Sequence, residues 1–194
     1  MAAETDSVDV IQRRYVENIT RIALFAALMG AFGFLSFPYP LSPAPVTLQV
    51  LGVFLAGILL GPLWGAGALV LYLLAGAIGA PVFAQGAAGI GVLLGPTGGY
   101  LLSYPVATAV VGAIVHRGLD LRDPREVGLP TLVGAMAAGT GIIYALGIVG
   151  LIGGLDLGLA EAFITGAVVF LPAEALKIAA AVGIVRSEEL AIST

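Results

Sequence analysis

The chain has 194 residues, of which 59% are hydrophobic and only 10% charged, with a net charge of −4. A soluble domain carries about 25% charged residues, so this composition excludes a water-exposed surface over most of the chain. It also excludes a nucleic-acid binder, since no basic patch is present. With no cysteine, it excludes a disulfide framework or thiolate metal site.

The polar, mixed-charge N-terminal stretch, residues 1–20, lacks the basic-then-apolar pattern of a cleaved signal peptide and is expected to be a cytoplasmic segment. From Ile22 to His116 there is no Asp, Glu, Lys or Arg. At about 20 apolar residues per spanning helix, that stretch alone suffices for roughly four crossings. Proline and glycine divide it. The first predicted helix is 21–37, ended by Pro38-Tyr39-Pro40. Its Ala23, Ala27 and Ala31 recur every fourth residue, and such a small-residue face permits close helix contact, within the protein or with another.

After a proline-rich loop, the second helix is predicted over 46–60, a short span. Thr47 and Gln49 at its entry suit either a helix cap or a ligand contact. Gly61-Pro62 turns the chain into a third helix, 63–78. The glycine-rich stretch 79–95, which includes Pro81, Phe83 and Gln85, reads as a structured loop. The fourth helix, 96–115, opens on Gly95-Pro96-Thr97-Gly98-Gly99-Tyr100. There glycine permits close backbone approach, and Tyr100 offers a flat ring with a polar tip. The same cluster suits tight helix packing. His116 beside Arg117 reads as an interfacial residue, with no second histidine to complete a metal site.

The fifth helix, 130–152, is uncharged. The sixth, 162–186, holds Phe170-Leu171-Pro172-Ala173-Glu174-Ala175-Leu176-Lys177, with Pro172 expected inside it. Glu174 and Lys177 are three apart and share a helix face. They precede Arg186 by roughly 14–18 Å at about 1.5 Å per residue, which places both near mid-membrane. Lys177 is the only lysine in the chain. Charges at that depth face a cavity, a partner or a ligand, or else form a structural pair that holds the bundle.

Six crossings put all seven arginines on one side of the membrane. By the positive-inside rule that side is cytoplasmic. The expectation is therefore an all-α membrane protein, a bundle of six transmembrane helices with both termini cytoplasmic. Residues 21–186 form the six-helix transmembrane domain and 187–194 a cytoplasmic tail.

Taken together, Pro45-Val46-Thr47-Leu48-Gln49, the loop with Pro81 and Phe83, Gly95-Pro96-Thr97-Gly98-Gly99-Tyr100 and Phe170-Leu171-Pro172 with Lys177 resemble the BioY family. These are biotin-binding S-components of energy-coupling-factor transporters. The likeness runs in order over nearly the whole chain. It departs at Ala173-Glu174, where the family commonly reads Gly-Asp, and the charge is kept. The resemblance implies a multi-pass cell-membrane subunit that captures biotin from outside. Its substrate-binding residues would be Glu174, Lys177, Tyr100, Thr97, Phe83, Gln85 and Gln49. Ala23, Ala27 and Ala31 would dock on a transmembrane coupling protein, itself powered by two cytoplasmic ATPases. No cofactor is implied. Membrane lipid is the surrounding partner, and a homo-oligomer is an open alternative. The competing readings are a membrane enzyme using Glu174 as acid or base, a channel-like or structural bundle, and an S-component for another small vitamin. No nucleophile–base pair accompanies Glu174 for the first of these, and the chain has no nucleotide motif of its own.

Overall fold

A computed structural model describes residues 2–187, with side chains from residue 15 onward. The chain is helical almost throughout. Helix α1 (Ala2–Phe34) continues without a break from the N-terminal segment into the apolar part, and the portion long and apolar enough to cross a membrane is Tyr15–Phe34. A two-residue strand, β1 (Ser36–Phe37), pairs antiparallel with β2 (Val46–Thr47) and so closes the proline-rich loop 38–45 at its base.

Helix α2 (Gln49–Ala77) carries the sharpest turn of the fold. Gly61 has φ 78° and ψ −177° and is followed by Pro62. A side chain rarely adopts a positive φ, and proline cannot continue the preceding helix, so the chain reverses here. The two arms, 49–60 and 62–77, run back to back. The Gln49 amide reaches the Tyr72 hydroxyl at 2.5 Å, a contact that a straight helix would forbid, since about 1.5 Å per residue would part the two by about 35 Å. The second and third predicted helices are therefore both present, joined at the predicted turn.

A single helical turn, α3 (Ile90–Leu93), interrupts the glycine-rich loop. Helix α4 (Gly98–His116) follows, then α5 (Leu129–Leu155), with Pro130 in its first turn. The predicted sixth helix is two helices. α6 (Leu159–Gly166) ends at Ala167 (φ −135°, ψ −60°), the chain makes one 3-10 turn over Val168–Phe170, and α7 (Leu171–Arg186) begins. Pro172 lies in the first turn of α7 and not inside a continuous helix. Its missing N–H costs nothing at that position. The carbonyl released at the end of α6, that of Gly166, accepts the Tyr100 hydroxyl at 2.7 Å.

The six passes are α1, the two arms of α2, α4, α5 and the α6–α7 pair. The α2 hairpin lies between α1 and α4; α5 packs on the far side of α4, and α7 closes the bundle against α2 and α5. Met29, Phe54, Ile58, Leu69, Leu132 and Met136 are fully buried between them. Leu24, Leu63, Leu74, Val106 and Val149 point outward, which suits a surface solvated by lipid chains.

His116, at the arginine-bearing end of α4, has a buried ring. Its Nδ1 accepts the Arg122 N–H at 3.0 Å, which leaves Nε2–H to donate to the Ile58 carbonyl at 3.0 Å. The ring thus joins the α2 turn, the end of α4 and the following loop. The segment 117–128 and Arg186 gather at the same end of the bundle: the Arg186 guanidinium donates to the carbonyls of Arg125 and Val127. Residues 188–194, most of the predicted tail, lie outside the described residues.

Candidate functional site

A cavity of about 440 Å³ opens inside the other half of the bundle. The loop 38–45 and the turn Ala84–Gly86 lie across its mouth; the starts of α2, α4 and α7 and the middle of α5 form its walls. All seven residues named from the sequence line it: Glu174, Lys177, Tyr100, Thr97, Phe83, Gln85 and Gln49.

Their roles in the wall differ. Lys177 Nζ donates to Glu174 Oε1 at 2.7 Å, with the side chains 7% and 5% exposed. Both residues sit on α7, so the pair ties that helix to no other and cannot hold the bundle together. A buried ion pair on one helix carries a desolvation cost that packing does not offset. Its remaining hydrogen-bonding capacity faces the cavity: two further protons on the ammonium, and a carboxylate oxygen, Oε2, that has no partner among the described residues. Among the described residues, Glu174 and Lys177 are the only charged side chains in the cavity wall, so opposite charges are paired there.

Tyr100 presents its ring, since its hydroxyl is occupied by Gly166. Phe83 is fully buried, its ring seated against Gly76 and edge-on to Tyr72 at 5.6 Å; it supports the wall from behind. The Gln49 amide N–H is likewise engaged by Tyr72. Thr47, just before the start of α2, accepts the Gln49 N–H on its Oγ1 at 3.2 Å and also lines the cavity. Thr97 is half-buried. Gln85 is exposed at the mouth, in a left-handed conformation (φ 59°), with its N–H donating to Ser36 Oγ at 3.1 Å.

Sequence reasoning missed the aromatic side of the cavity. Tyr39 from the loop packs on Phe170 (5.7 Å), and Phe170 on Tyr144 of α5 (6.4 Å). The Tyr39 hydroxyl donates to the Val169 carbonyl at 3.3 Å, which ties the loop to the break between α6 and α7. These residues lie on three distant segments and share no spacing that a linear reading detects.

Ala23, Ala27 and Ala31 are away from the cavity and all exposed on the outer face of α1, whereas Met29, Gly30 and Gly33 face inward. The small-residue stripe is therefore not an internal packing face.

Fold and site together define a polytopic membrane protein that encloses a small-molecule cavity around one buried ion pair. The sequence model of the BioY family matches residues 3–193, and the chain belongs to that family. It is 47% identical over 134 residues to the biotin transporter BioY of Rhodobacter capsulatus, covering 69% of this chain and 68% of that one. It is 36% identical over 166 residues to the probable biotin transporter BioY of Pyrococcus horikoshii, covering 86% and 92%. Its fold matches the crystal structure of an S-component for biotin from an ECF-type ABC transporter with a TM-score of 0.81, at 27% identity, over 90% of this chain and 91% of that one.

Proposed function

We infer that this protein is the biotin-capturing membrane subunit of an uptake transporter, and not an enzyme. The observation that carries the reading is the Glu174–Lys177 pair, which lines the cavity with an unpartnered carboxylate oxygen. Biotin's ureido ring offers two N–H donors and a carbonyl acceptor. Ionised Glu174 is an acceptor and Lys177 a donor, so one ring can meet both. The rings of Tyr100, Phe170 and Tyr39 suit the thiophane ring and the aliphatic chain. Thr97 and Gln85 lie toward the mouth, where the carboxylate tail would emerge. Equilibrium binding of radiolabelled biotin to the purified protein in detergent tests the reading, which fails if no saturable binding is found.

The energy comes from elsewhere: a transmembrane coupling protein and two cytoplasmic ATPases of an energy-coupling-factor module. The exposed Ala23, Ala27 and Ala31 stripe is the face we assign to the coupling protein, since small side chains let two helices approach closely. Lipid covers the rest of the apolar surface. The arginine-bearing end faces the cytoplasm and the cavity mouth faces outward. Cysteines introduced at Ser42 and Asp156 should therefore react with an impermeant reagent applied outside, and one at Asp120 should not. Labelling at Asp120 alone would reverse the orientation.

A further inference from the structure

The ion pair leaves one feature of the cavity unexplained. Besides Glu174 Oε2, a second side-chain atom is buried without a hydrogen-bond partner among the described residues, the hydroxyl of Tyr144. Tyr144 is 9% exposed and Glu174 4%, and both line the cavity. The Tyr144 hydroxyl lies close enough to Glu174 to interact with it, but no contact between them reaches hydrogen-bond distance and angle, so neither atom is fully partnered among the described residues. The Tyr144 ring is held against Phe170, and Phe170 in turn against Tyr39. Buried polar groups are nearly always paired, because an unpaired one loses its water without replacement. Two side by side at a cavity wall mark the place where a ligand supplies the missing partners.

The chemistry of the two atoms defines that ligand. An ionised carboxylate only accepts, while a phenolic O–H donates. An open acceptor beside an open donor complements a ligand edge with an N–H beside a carbonyl. A five-membered cyclic urea holds its N–H and C=O on one such edge. We propose that Tyr144 is a ligand-reading residue: its hydroxyl donates to the ureido carbonyl while Glu174 Oε2 accepts the adjacent N–H. The carbonyl's second lone pair remains for Lys177, whose ammonium has protons beyond the one given to Glu174 Oε1. Tyr144 thus makes the site selective for the carbonyl oxygen, and not merely for ring shape.

This proposal rests on the cavity being the biotin site, and the test separates the two. Affinities are measured for biotin and for its analogue with sulfur in place of the ureido oxygen, which keeps both N–H groups but accepts hydrogen bonds poorly. The unmutated protein should prefer biotin. Tyr144→Phe, which keeps the ring and its packing on Phe170, should weaken biotin about 10-fold, on the scale of one buried hydrogen bond, and the sulfur analogue less than about 3-fold. Wild-type biotin affinity in Tyr144→Phe, or an equal loss for both ligands, overturns the role of the hydroxyl. Equal affinity of the unmutated protein for the two ligands overturns it without any mutation. No biotin binding by the unmutated protein overturns the parent reading instead.

Discussion

The two ends of this bundle are built on opposite principles. At the arginine-bearing end the helices meet backbone to backbone. A Cβ on Gly112 of α4 would lie 2.6 Å from the nitrogen of Pro62 and 2.8 Å from the carbonyl carbon of Gly61. His116 uses both ring nitrogens, and Arg186 holds two loop carbonyls. At the cavity end the elements are interrupted: a strand pair, a proline loop and the break between α6 and α7 replace continuous helix. A charge pair stands in the wall there, and two polar atoms are left open. One end spends its hydrogen bonds on itself. The other holds some back, which is what a binding site requires and a packed core avoids.

The largest expected effect is at the open end. Charge-assisted hydrogen bonds contribute roughly 1.5–3 kcal/mol each, so Glu174→Gln or Lys177→Met should weaken biotin about 10- to 100-fold. Either change also strands a buried charge, at a folding cost of about 3–5 kcal/mol. Affinity is therefore measured only on variants that purify as monodisperse protein. Wild-type affinity in both would remove the pair from the binding site. The closed end should respond in stability and not in affinity. In Gly112→Val the new side chain would meet backbone atoms that cannot give way, and overpacking costs about 1–3 kcal/mol. The expected result is a lower Tm in detergent with unchanged biotin affinity in the folded fraction. An unaltered Tm would mean the helices can part there cheaply.

The outer face of α1 belongs to neither end. Ala27→Leu or Ala31→Leu adds bulk to an exposed surface, so the isolated protein should keep its Tm and its biotin affinity. Association with the coupling subunit should weaken by roughly 1–3 kcal/mol, the scale of an overpacked contact. Co-purification in one membrane extract measures this, and undiminished recovery of the partner by both variants would move the docking face elsewhere.

The closed end was the more legible of the two in the sequence. Gly61-Pro62 announces the reversal because only a few residue types tolerate that backbone, and the uncharged run to His116 counts the crossings. Glu174 and Lys177 were legible because charges in an apolar run are conspicuous. The break at Ala167 was not, although Gly166 and Pro172 flank it and both weaken a helix: a proline inside an apolar run fits a kinked span as well as a new start, and the carbonyl left behind is satisfied by Tyr100, 66 residues away in sequence. Tyr144 was invisible for a related reason. A tyrosine in an apolar helix reads as packing until the structure leaves its hydroxyl without a partner. The burial of the His116 ring was not legible because its two bonding partners, Ile58 and Arg122, come from different segments.

The smallest effect tests whether the two ends are independent. In the loop between α4 and α5, Asp123 accepts the Arg125 backbone N–H at 2.9 Å and its guanidinium at 2.6 Å. That hydrogen-bonded guanidinium holds the Asp123 carboxyl down at about 2. A depressed carboxylate stabilises the fold above its unfolded value of about 3.9, and the contribution fades as pH falls through the folded value. The pair is solvent-exposed, where such bridges contribute little. Asp123→Asn should therefore lower Tm less than Gly112→Val does. The gap from the unmutated protein should be constant from about pH 7 to 5 and should shrink below about pH 4. Biotin affinity should not change. A fall in affinity would be the more instructive result. Asp123 holds Arg125, the Arg125 carbonyl receives Arg186, and Arg186 ends the helix that carries Glu174 and Lys177. An affinity change would mean that α7 transmits the state of the loop to the cavity, so that the closed end is a lever on the open one.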